Sequence, residues 1–313
     1  MPLQSPNPQV STLFLSWQHL WTSLPALAAQ VFAVTWYLRA LGRARARGRP
    51  WPIWLTASFL VGMLVVAYGT EGGISYYERD NFTVHVVQVL LLADLAPVLL
   101  TAGAPVRLSL LASGSGRRSF ALAVFHSPVL QLLTKPFVAF ALNTAALYVY
   151  FMTPLYSLTE RHPAFLVCVD LQFLLCGCLL WWVVVARDVL PATPPTGVRF
   201  ALVLLCVPFD AYLGLEVGSV SKPLYAIGNT LSDTRAGGNV LWALAELFIV
   251  GALALLFVDW ARDEERRAIL ADRQLDAAMA AARGIVDDVA LAEGVPGKNG
   301  PEKAARGGDE LNI

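Results

Sequence analysis

Long apolar blocks separated by short polar connections are the feature that most constrains how this chain folds. Seven blocks each approach the roughly 20 residues that a helix needs to cross the hydrocarbon core of a bilayer. They are continuous and lack the two-residue alternation of a membrane β-barrel. Glycine and proline residues mark the breaks between them. The blocks cover residues 19–40, 51–70, 84–103, 134–156, 164–187, 198–218 and 238–260.

Composition supports the same conclusion. Charged residues make up 15% of the chain, against about 25% in soluble domains. The net charge of zero gives no sign of a nucleic-acid partner. We therefore predict an all-α protein, a bundle of seven transmembrane helices that contacts the lipid bilayer.

Basic residues are distributed unevenly between the connections. Cytoplasmic loops carry an excess of Lys and Arg. Alternate connections hold eleven of these residues and the opposite connections hold four, which predicts an N-terminus outside and a C-terminus in the cytoplasm. The eleven are Arg39, Arg43, Arg45, Arg47, Arg49, Arg107, Arg117, Arg118, Lys135, Arg187 and Arg199, and the four are Arg79, Arg161, Lys222 and Arg235.

The regions outside the blocks complete the predicted organisation. Residues 1–18 are expected to be an extracytoplasmic segment before the transmembrane domain, residues 19–260. Residues 261–293 are charged and Ala-rich and predict a cytoplasmic helix, and residues 294–313 have little to bury and predict a disordered tail. Segment 119–133 is apolar but short, and we interpret it as a cytoplasmic interfacial helix.

Several polar residues lie inside the predicted spans. Ionisable groups within a membrane are costly and are functional candidates by default. From the predicted orientation, we expect most of them to converge in the outer half of the bundle. Asp94 is about 180° around the helix from His85, and we expect it to pair with Asn143 or a backbone group. The others are His85, Gln88, Asp170, Gln172, Asp210, Glu216 and Glu246.

Two interpretations of these residues remain open. One is a metal or proton site, and the other is a hydrogen-bonded polar core that fixes helix packing. Cys176 and Cys178 diverge by about 200° on a helix, so we interpret them as packing residues and not as joint copper ligands. The sequence contains no nucleotide-binding glycine loop, nucleophile elbow or HExxH motif, and nothing in it indicates an enzyme.

A series of motifs is distributed over roughly residues 50–275. The clearest runs Asp233-x-Arg235-x-Gly237-Gly238-x-x-x-Trp242-x-x-x-Glu246. The other motifs are Gly72-Gly73-Ile74, His85-x-x-Gln88, Ala96-Pro97, Gly103-Ala104-Pro105-Val106, Pro154-Leu155-Tyr156, the run from Leu171 to Gly177, and Pro208-Phe209-x-Ala211-x-x-Gly214. Their order and spacing resemble the polytopic CtaG family of cytochrome c oxidase assembly factors, and the charged exit after Trp260 is similar to actinobacterial-type members.

The resemblance implies a multi-pass bacterial plasma-membrane protein that helps to mature cytochrome c oxidase. Oxidase subunits are the implied partners, with copper delivered from the outer side. Three expected family histidines are replaced here, by Val89, Gln172 and Asp210. The implied metal ligands are His85, Asp170, Asp210 and Glu246, supported by a polar cluster of Gln88, Gln172, Glu216, Asp233, Arg235 and Trp242.

Carboxylate and amide oxygens suit copper less well than imidazole does, so the replacements leave copper binding open. One alternative function is a transporter of copper or protons. Another is a structural membrane subunit that has lost the metal site.

Overall fold

The computed structural model describes residues 24–77, 81–114, 127–161, 163–222 and 230–292, with Gly116, Ala123 and Phe125. Every regular element within them is helical and no strand occurs there, which confirms the predicted all-α class. The helices are α1 (Leu24–Ala46), α2 (Ile53–Glu71), α3 (Gly73–Tyr77), α4 (Phe82–Leu90), a π-helical turn (Leu91–Leu95), α5 (Ala96–Ala102), α6 (Pro105–Ala112), α7 (Pro128–Leu133), α8 (Pro136–Met152), α9 (Leu155–Arg161), α10 (Pro163–Val185), α11 (Thr196–Gly218) and α12 (Leu231–Ala292).

Six helical stretches of the described chain are long and apolar enough to cross a membrane. The remaining predicted span, 134–156, contains α8, which is apolar but has 17 residues. At about 1.5 Å per residue, α8 is about 26 Å long, slightly less than the roughly 30 Å of a hydrocarbon core. Seven crossings and the orientation of the termini stay predictions. The six are Leu24–Ala46, Ile53–Ser75, Phe82–Ala112, Phe165–Val185, Thr196–Gly218 and Leu231–Arg283.

The third predicted span, 84–103, lies within a longer and less regular helical stretch. The π-helical turn divides α4 from α5, and Ala104, in the left-handed conformation at φ 48°, separates α5 from α6. A helix end leaves carbonyls without intrahelical partners. Here Tyr37 donates to the Gly103 carbonyl at 2.9 Å and Ser58 donates to the Leu99 carbonyl at 2.7 Å. These bonds tie α1 and α2 to the end of α5.

Gly177 allows α10 to approach the π-helical turn closely. A Cβ atom at Gly177 would overlap the Ala93 carbonyl oxygen and come within 2.7 Å of the Pro97 ring. Small residues at helix interfaces let two backbones come together in membrane proteins. The spacing between α10 and the π-helical turn therefore depends on the missing side chain.

The connection between α10 and α11 is held to the ends of neighbouring helices. Arg199 is buried and donates to the carbonyls of Val184 and Val185 at 2.5 and 2.6 Å. These are the last carbonyls of α10, where the helix dipole favours a positive charge. Arg199 thus closes the C-terminal end of α10.

Asp188, in the same connection, binds the N-terminal turn of α6. Its carboxylate accepts the N–H groups of Val106 and Arg107 at 2.8 and 2.5 Å, and that of Val189 at 2.8 Å. Burial raises the pKa of Asp188 above its ordinary value, and these three N–H bonds act in the opposite direction. The carboxylate supplies the acceptor that Ala104, at the cap position of α6, lacks.

The last helix, α12, has 62 residues, about 93 Å of helix at about 1.5 Å per residue. This is far more than a bilayer covers. The chain divides into two compact units, Met1–Leu256 and Phe257–Ile313. The charged helix expected at 261–293 falls on α12. The segments expected at 1–18 and 294–313 lie outside the described residues, as do six residues of 119–133, whose last part forms α7.

Candidate functional site

His85 lies in α4 with 2% of its surface exposed and both ring nitrogens in hydrogen bonds. Its Nδ1 is 3.1 Å from Gln88 Oε1, and its Nε2 is 2.7 Å from the Tyr150 hydroxyl on α8. Gln88 in turn donates from Nε2 to the Gly69 carbonyl on α2 at 3.1 Å. His85 and Gln88 lie three residues apart on one face of α4, and the two side chains join α4 to α2 and α8.

These bonds define the tautomer of His85. Gln88 directs its amide N–H toward Gly69, so its Oε1 faces His85 and accepts only. Nδ1 therefore carries the proton, and Nε2 accepts from the Tyr150 hydroxyl. The imidazole is neutral, and its lone pair, the group that would bind a metal, is already used.

Aromatic rings surround this histidine. The Tyr156 and Tyr150 ring centroids lie 5.0 and 5.6 Å from the His85 ring. Phe173 packs edge-on against Tyr150 at 5.1 Å, and Phe82 packs edge-on against Tyr156 at 5.8 Å. These aromatic rings exclude water from His85 and strengthen its hydrogen bonds.

A second polar group joins α2 and α10. Glu71, at the end of α2, is 1% exposed and accepts from the Gln30 amide on both oxygens at 3.0 and 3.1 Å. Asp170 on α10 has a buried Oδ1 without a hydrogen-bond partner, and its carboxyl group interacts electrostatically with Glu71. The two carboxyl groups therefore lie close enough to influence each other between α2 and α10.

A third polar group lies on the π-helical turn, α11 and α12. Asp94 accepts from the Trp181 indole N–H at 3.2 Å. This contact with Trp181 corrects the expectation that Asp94 pairs with Asn143 or a backbone group. Asp210 interacts electrostatically with both Asp94 and Glu246. Asp210 and Glu246 thus belong with Asp94, whereas the observed bonds of His85 go to Gln88 and Tyr150.

The clearest family motif places packing residues at the start of α12. Asp233 accepts from the backbone N–H groups of Phe82 and Thr83 at 2.7 and 3.3 Å, and so satisfies the N-terminus of α4. A Cβ atom at Gly237 would overlap the Phe82 ring, and one at Gly238 would overlap the Gly218 backbone N. The motif therefore brings α12 into contact with α4 and α11.

The remaining members of the predicted polar cluster lie at the periphery. Gln172 and Glu216 are exposed. Arg235 is exposed and donates to the Val220 carbonyl at 3.3 Å. Trp242 is 40% exposed, and its Cβ lies where a side chain at Gly214 would be. These four residues do not extend the buried network around His85.

The described side chains do not fit a copper ion bound by the four predicted ligands. Within the described ranges, no three residues of His, Cys, Asp or Glu form a group that could hold a metal ion. The Nε2 of His85 is engaged by Tyr150. Copper ligation by His85, Asp170, Asp210 and Glu246 stays a prediction without geometric support.

Three residues of these networks were missed by the sequence reasoning. Tyr150 and Trp181 look like ordinary apolar residues in a span, and Glu71 lies one residue beyond the apolar block 51–70. A usable signal exists for the first two, because buried Tyr and Trp usually find a partner for the hydroxyl or indole N–H. No comparable pattern identifies which partner each one takes.

These features define a class, a membrane protein of several apolar helices with hydrogen-bonded polar groups inside its helical bundle. Residues 35–263 match the family described as cytochrome c oxidase caa3 assembly factor (Caa3_CtaG). The chain belongs to this family, since the match covers well over half of its length.

The chain is also similar to longer mycobacterial proteins. Uncharacterized proteins of Mycobacterium bovis and Mycobacterium tuberculosis are each 28% identical over 86% of this chain and 43% of their own length. An uncharacterized protein of Mycobacterium leprae is 27% identical over 87% of this chain and 44% of its own length. The chain thus spans less than half of the curated relatives it matches. No solved structure matches it.

Proposed function

We propose that this protein acts in the plasma membrane as an assembly factor or accessory subunit of cytochrome c oxidase, in contact with oxidase subunits. The family match over residues 35–263 carries the proposal, because it begins within α1, covers α2 to α11 and runs on into α12. The family description names an assembly role and no reaction. The polar groups of the bundle are held by one another, which supports a role in binding and positioning oxidase subunits.

A deletion strain tests this role. Loss of the gene should lower assembled oxidase, measured by the reduced-minus-oxidised spectrum of membranes and by oxygen uptake with a cytochrome c-directed electron donor. The full chain should restore both, and so should Gly251→Ala, a change at a site with nothing within 4 Å. Normal oxidase content in the deletion strain would overturn the proposal.

A more specific form of the proposal is that the protein delivers copper, as its cargo, from the outer side. Because Tyr150 occupies Nε2 of His85, we expect the purified chain to retain less than one copper per molecule, measured by inductively coupled plasma mass spectrometry. His85→Ala is the control. Equimolar copper that disappears in His85→Ala would show that the Tyr150 bond opens for the metal.

One observation favours a second candidate, a transporter of protons or copper. Asp94, Asp210 and Glu246 interact electrostatically within membrane-spanning helices, and intramembrane carboxyl groups mark ion pathways. Proton or copper uptake into proteoliposomes, lost in Asp94→Asn, would favour the transporter. A triple substitution of His85, Asp210 and Glu246 that keeps folding and oxidase assembly would instead favour a purely structural subunit.

A further inference from the structure

An elongated groove lies among α1, α2, α5 and α10. Its volume is about 510 Å³, within the roughly 300–1,000 Å³ of small-molecule sites. Its walls include Ala33, Met63, Leu100 and Leu179. All four wall residues belong to candidate membrane spans, so the groove is surrounded by lipid.

Most polar groups that line the groove are already paired, but the buried indole N–H of Trp182 has no hydrogen-bond partner. Gln30 lies at one part of the lining and donates its amide N–H groups to Thr70 and Glu71. Asp188 lies at another, and its carboxylate is already bound by backbone N–H groups of α6 and Val189. The hydroxyl of Thr101 donates to the Pro97 carbonyl, and most of the remaining lining side chains are apolar. An apolar chain is the ligand that matches this surface.

Two arginines are sequence neighbours of lining residues at the Asp188 end of the groove, and neither is itself part of the lining. Arg107 follows the lining residue Val106, and its guanidinium carbon is 6.0 Å from the Trp51 ring centroid. Arg187 precedes Asp188, and its guanidinium carbon is 4.7 Å from the Trp54 ring centroid. Tryptophan is enriched at membrane interfaces, and basic pockets between transmembrane helices on the cytoplasmic side bind anionic lipid head groups.

We propose that this groove binds one acyl chain of an anionic phospholipid, with the lipid phosphate at Arg107 and Arg187. Charge complementarity selects this occupant. The apolar wall matches the acyl chain, and the two guanidinium groups at one end match a phosphate. A transmembrane helix of another protein would match the wall but has no reason to place an anion at this end.

Native mass spectrometry of the purified full-length chain tests the proposal. The delipidated protein is titrated with phosphatidylglycerol and, separately, with phosphatidylcholine of the same acyl chains. We expect one phosphatidylglycerol to bind about tenfold more tightly than phosphatidylcholine, because two arginines attract the anionic head group. Equal affinity for the two lipids would overturn the proposal.

Two pairs of variants separate the specific site from general charge. Arg107→Gln with Arg187→Gln should abolish the preference for phosphatidylglycerol. Arg43→Gln with Arg45→Gln removes the same charge from the last turn of α1 and should keep the preference. If both double variants lose it equally, the attraction is diffuse and the assigned site is wrong.

A groove-filling variant tests the acyl-chain half of the site. Ala33→Phe adds volume to the wall and should weaken retention of both lipids, with the thermal unfolding midpoint recorded to confirm folding. Wild-type retention in a folded Ala33→Phe protein would contradict the placement of the chain. The arginine variants add no volume to the groove and remain informative if Ala33→Phe does not fold.

Discussion

At the scale of single residues, two hydrogen bonds determine the state of His85. A buried imidazole without partners leaves polar atoms unsatisfied, at about 1–3 kcal/mol each. Gln88 and Tyr150 remove that cost and hold the ring neutral, with its proton on Nδ1. His85 thereby connects α4 to α8, and Gln88 extends the connection to α2 through the Gly69 carbonyl.

Replacing Tyr150 by Phe should destabilise the protein. The substitution removes the hydroxyl that donates to His85 Nε2 and leaves this buried nitrogen without a donor. We expect a loss of about 1–3 kcal/mol, seen as a lower thermal unfolding midpoint in detergent.

Tyr148→Phe provides the matched control on the same helix. Its hydroxyl donates to the Phe209 carbonyl in an exposed position, where lipid head groups or water replace a lost bond more easily. We expect Tyr148→Phe to cost less. A larger loss for Tyr148→Phe than for Tyr150→Phe would contradict the described network.

The residue scale also shows where sequence reasoning succeeds. Residues three apart on a helix share a face, so the His85–Gln88 pair was predictable. Tyr150 was not, because its position opposite His85 depends on how α8 packs against α4. Asp210 and Glu246 were predicted beside His85 from depth alone, and depth does not fix the direction in which a side chain points around its helix.

At the scale of elements, the π-helical turn and Gly177 act together. The turn places the Ala93 carbonyl against α10, and only glycine at position 177 leaves room for it. Such turns are rare and often occur at functional sites. Asp94, which contacts Trp181 of α10, lies in this one.

Adding a methyl group at Gly177 should separate the two elements. In Gly177→Ala the new Cβ overlaps the Ala93 carbonyl oxygen and contacts Pro97, and rigid backbone and ring atoms give way poorly. Overpacking of this kind costs about 1–3 kcal/mol. The expected result is a lower thermal unfolding midpoint.

Gly251→Ala is the corresponding control. Position 251 also lies within a membrane helix, but a Cβ there has nothing within 4 Å. Since alanine is the better helix former by about 1 kcal/mol, we expect an unchanged or slightly higher midpoint. If Gly177→Ala unfolds at the wild-type temperature, the close approach of α10 to the turn is not a constraint.

Six of the predicted spans correspond to long apolar helices because hydrophobic length survives any packing arrangement. The π-helical turn and the short α8 were not predictable. Both depend on which neighbouring residues hydrogen-bond to the backbone groups, and the hydropathy of the sequence does not show which residues these are.

At the scale of the whole molecule, the placement of the polar groups depends on orientation. The uneven distribution of Lys and Arg predicts that the connection after α1 faces the cytoplasm and that the connection after α11 faces outward. The lipid site at Arg107 and Arg187 then lies on the cytoplasmic side, and Glu71 and Asp170 lie toward the outer side. Sequence alone supports this orientation, because it follows from counting charges.

Single-cysteine labelling tests the orientation most directly. Arg49→Cys and Ser219→Cys are made separately in a chain whose four native cysteines are replaced, and intact cells are treated with a membrane-impermeant maleimide. We predict labelling of Ser219→Cys in intact cells, and labelling of Arg49→Cys only after permeabilisation. Labelling of Arg49→Cys but not Ser219→Cys in intact cells would show the opposite orientation. It would contradict the outward placement of Glu71 and Asp170 and the cytoplasmic placement of the lipid site.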